Sequence, residues 1–287
     1  MKQKLFNLSG KIDNNIVQAL ECISKAADEL KIPIFVIGAM AREILLHVGY
    51  GIEAKRATLD LDLGVQVENW NQFADLKKSL TATGDFKASK APQRIIFKET
   101  LHIDIVPFGR ISEPDDSISW PPAKEVKMST LGFKESYDDA VVVRLRSDPD
   151  FEIKFASLCG LAIMKLISWS EKYPERSKDA VDFEFLMRNY VFAGNEERLY
   201  DQESDLLDDD DFDYEFASAR LMGRDTASIS GPGTKRAIRN ILMQQTGNHR
   251  RYLLVEDMTR SNVVFKNNFE ETLGLLEKFK NGFMERS

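Results

Sequence analysis

The stretch Thr58-Leu59-Asp60-Leu61-Asp62-Leu63-Gly64-Val65 decides how this chain is read. As a strand it sends successive side chains to opposite faces, so Asp60 and Asp62 point one way and the leucines the other. A strand rises roughly 3.3 Å per residue, which sets the two carboxylates about 7 Å apart at the backbone, close enough to converge on one hard cation. Aspartate is a poor strand former, and a face that needed only to meet solvent could carry Thr, Lys or Ser. Two aspartates are a local cost, and they point to chemistry.

Upstream of this strand, Pro33 precedes the apolar run Ile34-Phe35-Val36-Ile37, which has the character of a buried strand. It stops at Gly38-Ala39, and residues 40–48 read as a helix bearing Arg42 and Glu43. A strand, a glycine turn and a helix start can present backbone N–H groups to a phosphate. A glycine that closes a strand also serves as a plain turn. Residues 14–30 place Ile16, Ala19, Leu20, Ile23, Ala27 and Leu30 at a helical period. Residues 49–57, with Lys55 and Arg56, form a loop into the aspartate strand.

Downstream, residues 69–80 predict a helix, followed by strands at 94–98, 101–106, 126–133 and 140–145, with an exposed loop at 114–122. Within the second of these, Asp104 lies on the face opposite Ile103 and Ile105. Strands crowded into the first half with helices between them predict a mixed sheet in an α/β (α+β) domain. From residue 155 the reading is helical to the end. Residues 155–169 are apolar almost all round, as in a central buried helix. Further helices are expected at 177–190, at 208–225, after Gly231-Pro232-Gly233, and at 267–283. The acidic run 205–213 suits a solvated helix start, where negative charge favours the N-terminal dipole. The expected organisation is a mixed-sheet domain over 1–150 and a helical domain over 151–287.

The 287 residues are 43% hydrophobic and 30% charged, enough apolar material for a sizeable core. A net charge of −7 excludes a global positive field, so any nucleic-acid contact must come from a local patch. Cys22 and Cys159 each sit in an apolar helical context and read as buried free thiols of a reducing compartment. The first residues lack the apolar run of a signal peptide, and no stretch reaches about eighteen apolar residues, the length of a membrane span. The expectation is a soluble, cytoplasmic protein without membrane contact.

Asp60, Asp62 and Asp104 form the candidate metal site. Three carboxylates on adjacent strands would hold one or two Mg²⁺ ions, and the expectation is a two-ion site in which both ions bridge a nucleoside triphosphate and an attacking hydroxyl. The plain alternative is solvated aspartates on a one-sided sheet. Lys165 lies among Leu161, Ala162, Ile163, Met164, Leu166, Ile167 and Trp169, where few exposed positions remain. Either its stem snorkels to the surface or its ammonium meets an anion. In Arg176-Ser177-Lys178-Asp179-Ala180-Val181-Asp182, the two aspartates share a helical face. They read as a charged helix start, or as carboxylates that orient Lys165 toward a triphosphate. Lys235, Arg236 and Arg239, then His249-Arg250-Arg251, form the one basic concentration, a solvated helix face or the edge of an RNA-holding cleft. His47, His102 and His249 show no metal-ligand spacing.

These residues resemble the AbiEii/AbiGii-type nucleotidyltransferase toxins of the DNA-polymerase-β-like nucleotidyltransferase superfamily. The resemblance runs through Gly38-Ala39-x-Ala41-Arg42, Arg56-x-Thr58-x-Asp60-x-Asp62 and Ile103-Asp104-Ile105. It continues through Lys165, Arg176-x-Lys178-Asp179-x-x-Asp182 and Leu221-Met222-Gly223-Arg224-Asp225. It implies a nucleotidyltransferase-type mixed sheet followed by a helical domain. Asp60, Asp62 and Asp104 would be metal ligands, with Asp104 accepting the attacking hydroxyl's proton. Gly38 and Ala39 would form the phosphate turn, with Arg42 and Thr58 beside the nucleotide. Lys165 would hold the triphosphate, and Arg176, Lys178, Asp179 and Asp182 would complete the later motif. The implied activity is Mg²⁺-dependent transfer of NMP from an NTP to a hydroxyl, at a tRNA or other RNA end, by a toxin with a cognate antitoxin. A catalytically degenerate nucleotide- or protein-binding module and an aminoglycoside-like small-molecule nucleotidyltransferase are the alternatives. The chain departs from the pattern in having Ala39 where Gly or Ser is usual, and in a longer interval from Gly38 to Asp60.

Overall fold

The structure, a computed structural model, describes residues 5–53, 60–208, 212–247, 251–260 and 269–287. The chain divides into two compact units, Met1–Ser157 and Leu158–Ser287.

The first unit begins with β1 (Leu5–Asn7) and α1 (Asn14–Glu29), whose N-terminus is capped by the Asp13 carboxylate accepting from the Asn15 N–H at 2.8 Å. Then come β2 (Ile34–Ile37) and α2 (Gly38–Glu43). The expected single helix over 40–48 instead widens into a π-helical turn, Ile44–Gly49. That turn buries Ile44, Leu45 and Leu46 in succession, which a narrow stripe of 3.6-residue period does not do. The aspartate strand is β3 (Leu61–Gln66), and α3 (Trp70–Ala82) follows with Asn69 as its N-cap.

Next are β4 (Phe86–Ala88), β5 (Arg94–Phe97) and β6 (Leu101–Phe108). The expected loop at 114–122 contains β7 (Ser117–Ser119), which pairs with β8 (Lys127–Ser129) in a small separate ribbon. Of the strand expected over 126–133 only β8 is extended. Gly132, at φ +83, turns the chain so that Phe133 opens α4 (Phe133–Asp138). The unit closes with β9 (Val141–Ser147) and β10 (Asp150–Phe155), so the helical part starts only after Phe155.

Among the described residues, eight strands form one mixed sheet in the order β1-β9-β10-β2-β3-β6-β5-β4. β3 is antiparallel to β2 and parallel to β6, and β6 is antiparallel to β5. Leu61, Leu63 and Val65 are fully buried, as are Ile103 and Ile105 on β6. The leucine face therefore makes core, as the alternation requires. Gly64 leaves room for Phe35, since a Cβ there would lie 2.2 Å from that ring. Phe35 in turn packs edge-on against Phe108 and Tyr137, at centroid distances of 5.6 and 5.5 Å.

The second unit comprises α5 (Leu158–Glu171), α6 (Ser177–Asn189), α7 (Glu196–Asp201), a 3₁₀ turn (Ser204–Leu207), α8 (Tyr214–Ile229), α9 (Pro232–Thr246), α10 (Leu253–Thr259) and α11 (Phe269–Glu285). α5 is buried nearly all round. α8 starts later than expected, where the Asp213 carboxylate accepts from the Glu215 N–H at 2.7 Å. Within the acidic run, Asp205 is not merely solvated; its carboxylate accepts from Arg224 Nη1 at 2.9 Å. α7 and α10, short and weakly periodic, were not anticipated. α8 and α11 approach closely at Gly223 and Gly282. A Cβ at Gly223 would lie 2.2 Å from the Phe279 carbonyl oxygen, and one at Gly282 1.9 Å from that of Arg220. Cys159 is buried, whereas Cys22 is only half-buried.

Candidate active site

Strand register brings the site of the first unit together. Parallel pairing of β3 with β6 sets Asp62 beside Asp104, and antiparallel pairing of β6 with β5 sets Asp104 beside Arg94. Residues aligned across a sheet share a face, so the three side chains form one lateral row. On the other side of β3, Ile37 is opposite Asp62, and Gly38 follows it with φ +73. A Cβ on Gly38 would lie 2.2 Å from Asp62 Oδ2. The Asp62 carboxylate thus rests on the glycine turn, and glycine is required there twice over, for φ and for space.

Asp60, just before β3, is exposed, and its carboxylate lies 3.7 Å from His102 Nδ1 and 3.8 Å from Arg94 Nη2. Asp104 has both oxygens engaged: Arg94 Nε donates to Oδ1 at 2.7 Å and Nη2 to Oδ2 at 2.8 Å. This bidentate fork is the strong geometry for a guanidinium and a carboxylate. The Asp104 hydrogen bond, then the nearby carboxylate charges, hold the Arg94 guanidinium well above its usual range against the opposing effect of burial. Among the described residues no three His, Cys, Asp or Glu side chains are grouped as metal ligands. Asp104, expected as a third ligand, has Arg94 as its partner in this structure. Arg42 is buried in α2, with its guanidinium 4.0 Å from Glu43, and Ala39 is half-buried. Thr58, with Lys55 and Arg56, lies outside the described residues.

In the second unit Lys165 does not snorkel. Its Nζ meets Asp179 Oδ1 and Asp182 Oδ2, each at 2.7 Å, and all three side chains are nearly buried. Burial, the largest single influence, would lower the Lys165 pKa; the two aspartate charges and their hydrogen bonds outweigh it and hold the ammonium above its ordinary value. Arg176, just ahead of α6, and Lys178, in its first turn, are exposed. Of the basic concentration, Lys235 and Arg239 bond to the chain terminus at Arg286 and Ser287, while His249 and Arg250 lie outside the described residues.

Sequence reasoning missed Arg94. The signal was a register count: Phe97 pairs with Leu101, and stepping outward on both strands arrives at Arg94 and Asp104. The hairpin was hidden because its turn uses Lys98 and Glu99, at φ +44 and +66, where Asn and Gly are the usual markers.

The chain is a nucleotidyltransferase. The chain belongs to the AbiEii family: the profile described as "Nucleotidyl transferase AbiEii toxin, Type IV TA system" matches residues 19–251. No curated protein matches the chain. Among solved structures it is similar to ANT(2")-Ia in complex with adenylyl-2"-tobramycin, at 13% identity and a TM-score of 0.37, covering 65% of this chain and 99% of that one. A CCA-adding enzyme in complex with ATP gives 15% identity and a TM-score of 0.33, covering 96% of this chain and 82% of that one. A Thermotoga maritima CCA-adding enzyme complexed with tRNA gives 13% and 0.27, covering 97% and 83%. The family assignment rests on the profile and not on these likenesses.

Gly38→Ala is expected to push the Asp62 carboxylate out of place and to strain the backbone by about 1–2 kcal/mol, the cost of a left-handed residue with a Cβ. The check is a lowered denaturation midpoint together with a loss of nucleotide transfer larger than the stability change accounts for.

Proposed function

We propose that this protein transfers NMP from an NTP to a hydroxyl at the end of an RNA, with tRNA as the acceptor, and that it does so in the cytoplasm as the toxin of a toxin–antitoxin pair. The observation that carries this reading is Asp60 and Asp62 at the start of the central strand β3, with Asp62 seated on Gly38. The donor set fits a divalent ion such as Mg²⁺, because carboxylate oxygens with one partly exposed edge are what a hard cation takes. Asp60 and Asp62 would hold that ion, which when bound supplies positive charge against the phosphates of the NTP.

The remaining work belongs to the chain. Gly38 allows the backbone to approach a phosphate closely, and α2 begins at that residue, directing N–H groups outward from its first turn. Lys165 stays cationic over the whole physiological range, since its pKa is held above the ordinary value. Asp179 and Asp182 fix its position, and the exposed Arg176 and Lys178 add positive charge at the start of α6. Within the helical unit, nucleotide binding is assigned to Lys165, Arg176 and Lys178, with Asp179 and Asp182 positioning Lys165. No helix among the described residues is long and apolar enough to cross a membrane.

The test is incubation with total tRNA and each radiolabelled NTP in Mg²⁺. Label appearing in RNA with one or more NTPs, and lost on chelation, is the expected result. Label appearing only on an added aminoglycoside would replace the acceptor, and no label with any acceptor would replace the activity with a binding role.

A further inference from the structure

We propose that Arg94 holds the place of a second cation, so that the chain takes one divalent ion, through Asp60 and Asp62, while Asp104 serves as the positioning residue of Arg94. The inference rests on the reading above, in that Asp60 and Asp62 are the ion's ligands.

Three observations carry it. The row Asp62–Asp104–Arg94 is set by strand register and not by a mobile loop. Arg94 closes on Asp104 through two hydrogen bonds, of 2.7 and 2.8 Å, and its Nη2 reaches to 3.8 Å from Asp60. The pair is mostly shielded, with 29% and 19% of the two side chains exposed, so water does not screen it fully. An ion approaching Asp104 would have to compete with a bidentate guanidinium for the same oxygens and would stand against its positive charge. A guanidinium does not deprotonate to make way. Before any substrate is counted, the three carboxylates, the guanidinium and one divalent ion sum to no net charge. Among the described residues His102 also faces Asp60, from 3.7 Å.

The experiment counts Mn²⁺ bound to the full chain, using the electron paramagnetic resonance signal of free Mn²⁺ with the metal alone. One equivalent is expected for the wild type and for Asp104→Asn, and none for the Asp60→Asn/Asp62→Asn double variant. Arg94→Gln, confirmed as folded by circular dichroism, is expected to gain a second equivalent, which disappears again in Arg94→Gln/Asp104→Asn. Two equivalents in the wild type, one of them lost in Asp104→Asn, would overturn the proposal, as would a folded Arg94→Gln protein that still binds one. If the Arg94 variants do not fold, the wild-type and Asp104→Asn counts decide alone. Mn²⁺ binding that survives the Asp60/Asp62 double variant, or is absent from the wild type, removes the metal site itself and the Arg94 assignment with it.

Discussion

Asp62→Asn will lower nucleotidyl transfer by at least about a thousandfold, while the protein denatures at nearly the wild-type temperature. The size follows from the proposed site. Removing one group that stabilises transition-state charge costs on the order of 10²–10³ in rate, and Asp62, which packs against the Gly38 turn, is proposed as an ion ligand as well. The small stability change follows from the fold. Asn keeps the shape of Asp, and the core of β3 is made by Leu61, Leu63 and Val65 on the opposite face. Asp60→Asn should act in the same direction. The double variant should be little worse than either single one, because residues that act as a unit are not additive. Labelling with the preferred NTP, followed beside a thermal denaturation scan, separates the two readouts. Full labelling by folded Asp62→Asn protein would refute the site.

Lys165→Met is expected to destabilise the helical unit by about 3–5 kcal/mol, the usual result of removing one partner from a buried ion cluster. That is a large part of a typical domain stability of roughly 5–15 kcal/mol. The penalty arises because Asp179 and Asp182, each nearly buried, would face one another with no cation between them. Asp179→Asn and Asp182→Asn should each cost less, since Lys165 keeps one carboxylate. A triple change, Lys165→Met with Asp179→Leu and Asp182→Leu, should recover much of the stability but none of the transfer activity, which distinguishes a functional cluster from a purely structural one.

The pH dependence has a definite sign. The folded-state pKa of Lys165 is raised above its unfolded value, so its stabilisation is complete below the ordinary lysine range and is lost as pH rises through the folded pKa. The gap in denaturation midpoint between wild type and Lys165→Met should therefore hold at neutral pH and narrow in strong alkali. A gap unchanged in strong alkali would contradict the ion cluster.

Much of this was legible before any coordinates. Alternation in Leu61-Asp62-Leu63 separated a core face from a chemical face, and β3 has that burial pattern. The apolar surroundings of Lys165 predicted that it either snorkels or meets an anion, and the three-residue spacing of Asp179 and Asp182 offered the anion one helix later. Other features were not legible. The strand expected at 126–133 stops at Ser129, and Gly132, at φ +83, then turns the chain into α4. The π-helical turn at Ile44–Gly49 follows from how consecutive apolar residues pack, and helical periodicity carries no mark of it.

From sequence alone came the properties that neighbouring residues impose on one another: which face a side chain takes, which segments are helical, which charges are too deep to stand unpaired. Left to the packing were the partners of those charges across the sheet. Asp104 is expected as a third metal ligand from its strand and face, while the Arg94 that bonds both its oxygens comes from the neighbouring strand. The reason is that strand order and register are non-local. A one-residue slip would turn every side chain of a strand to the other face, and nothing within β5 or β6 taken singly says which residues will stand opposite one another.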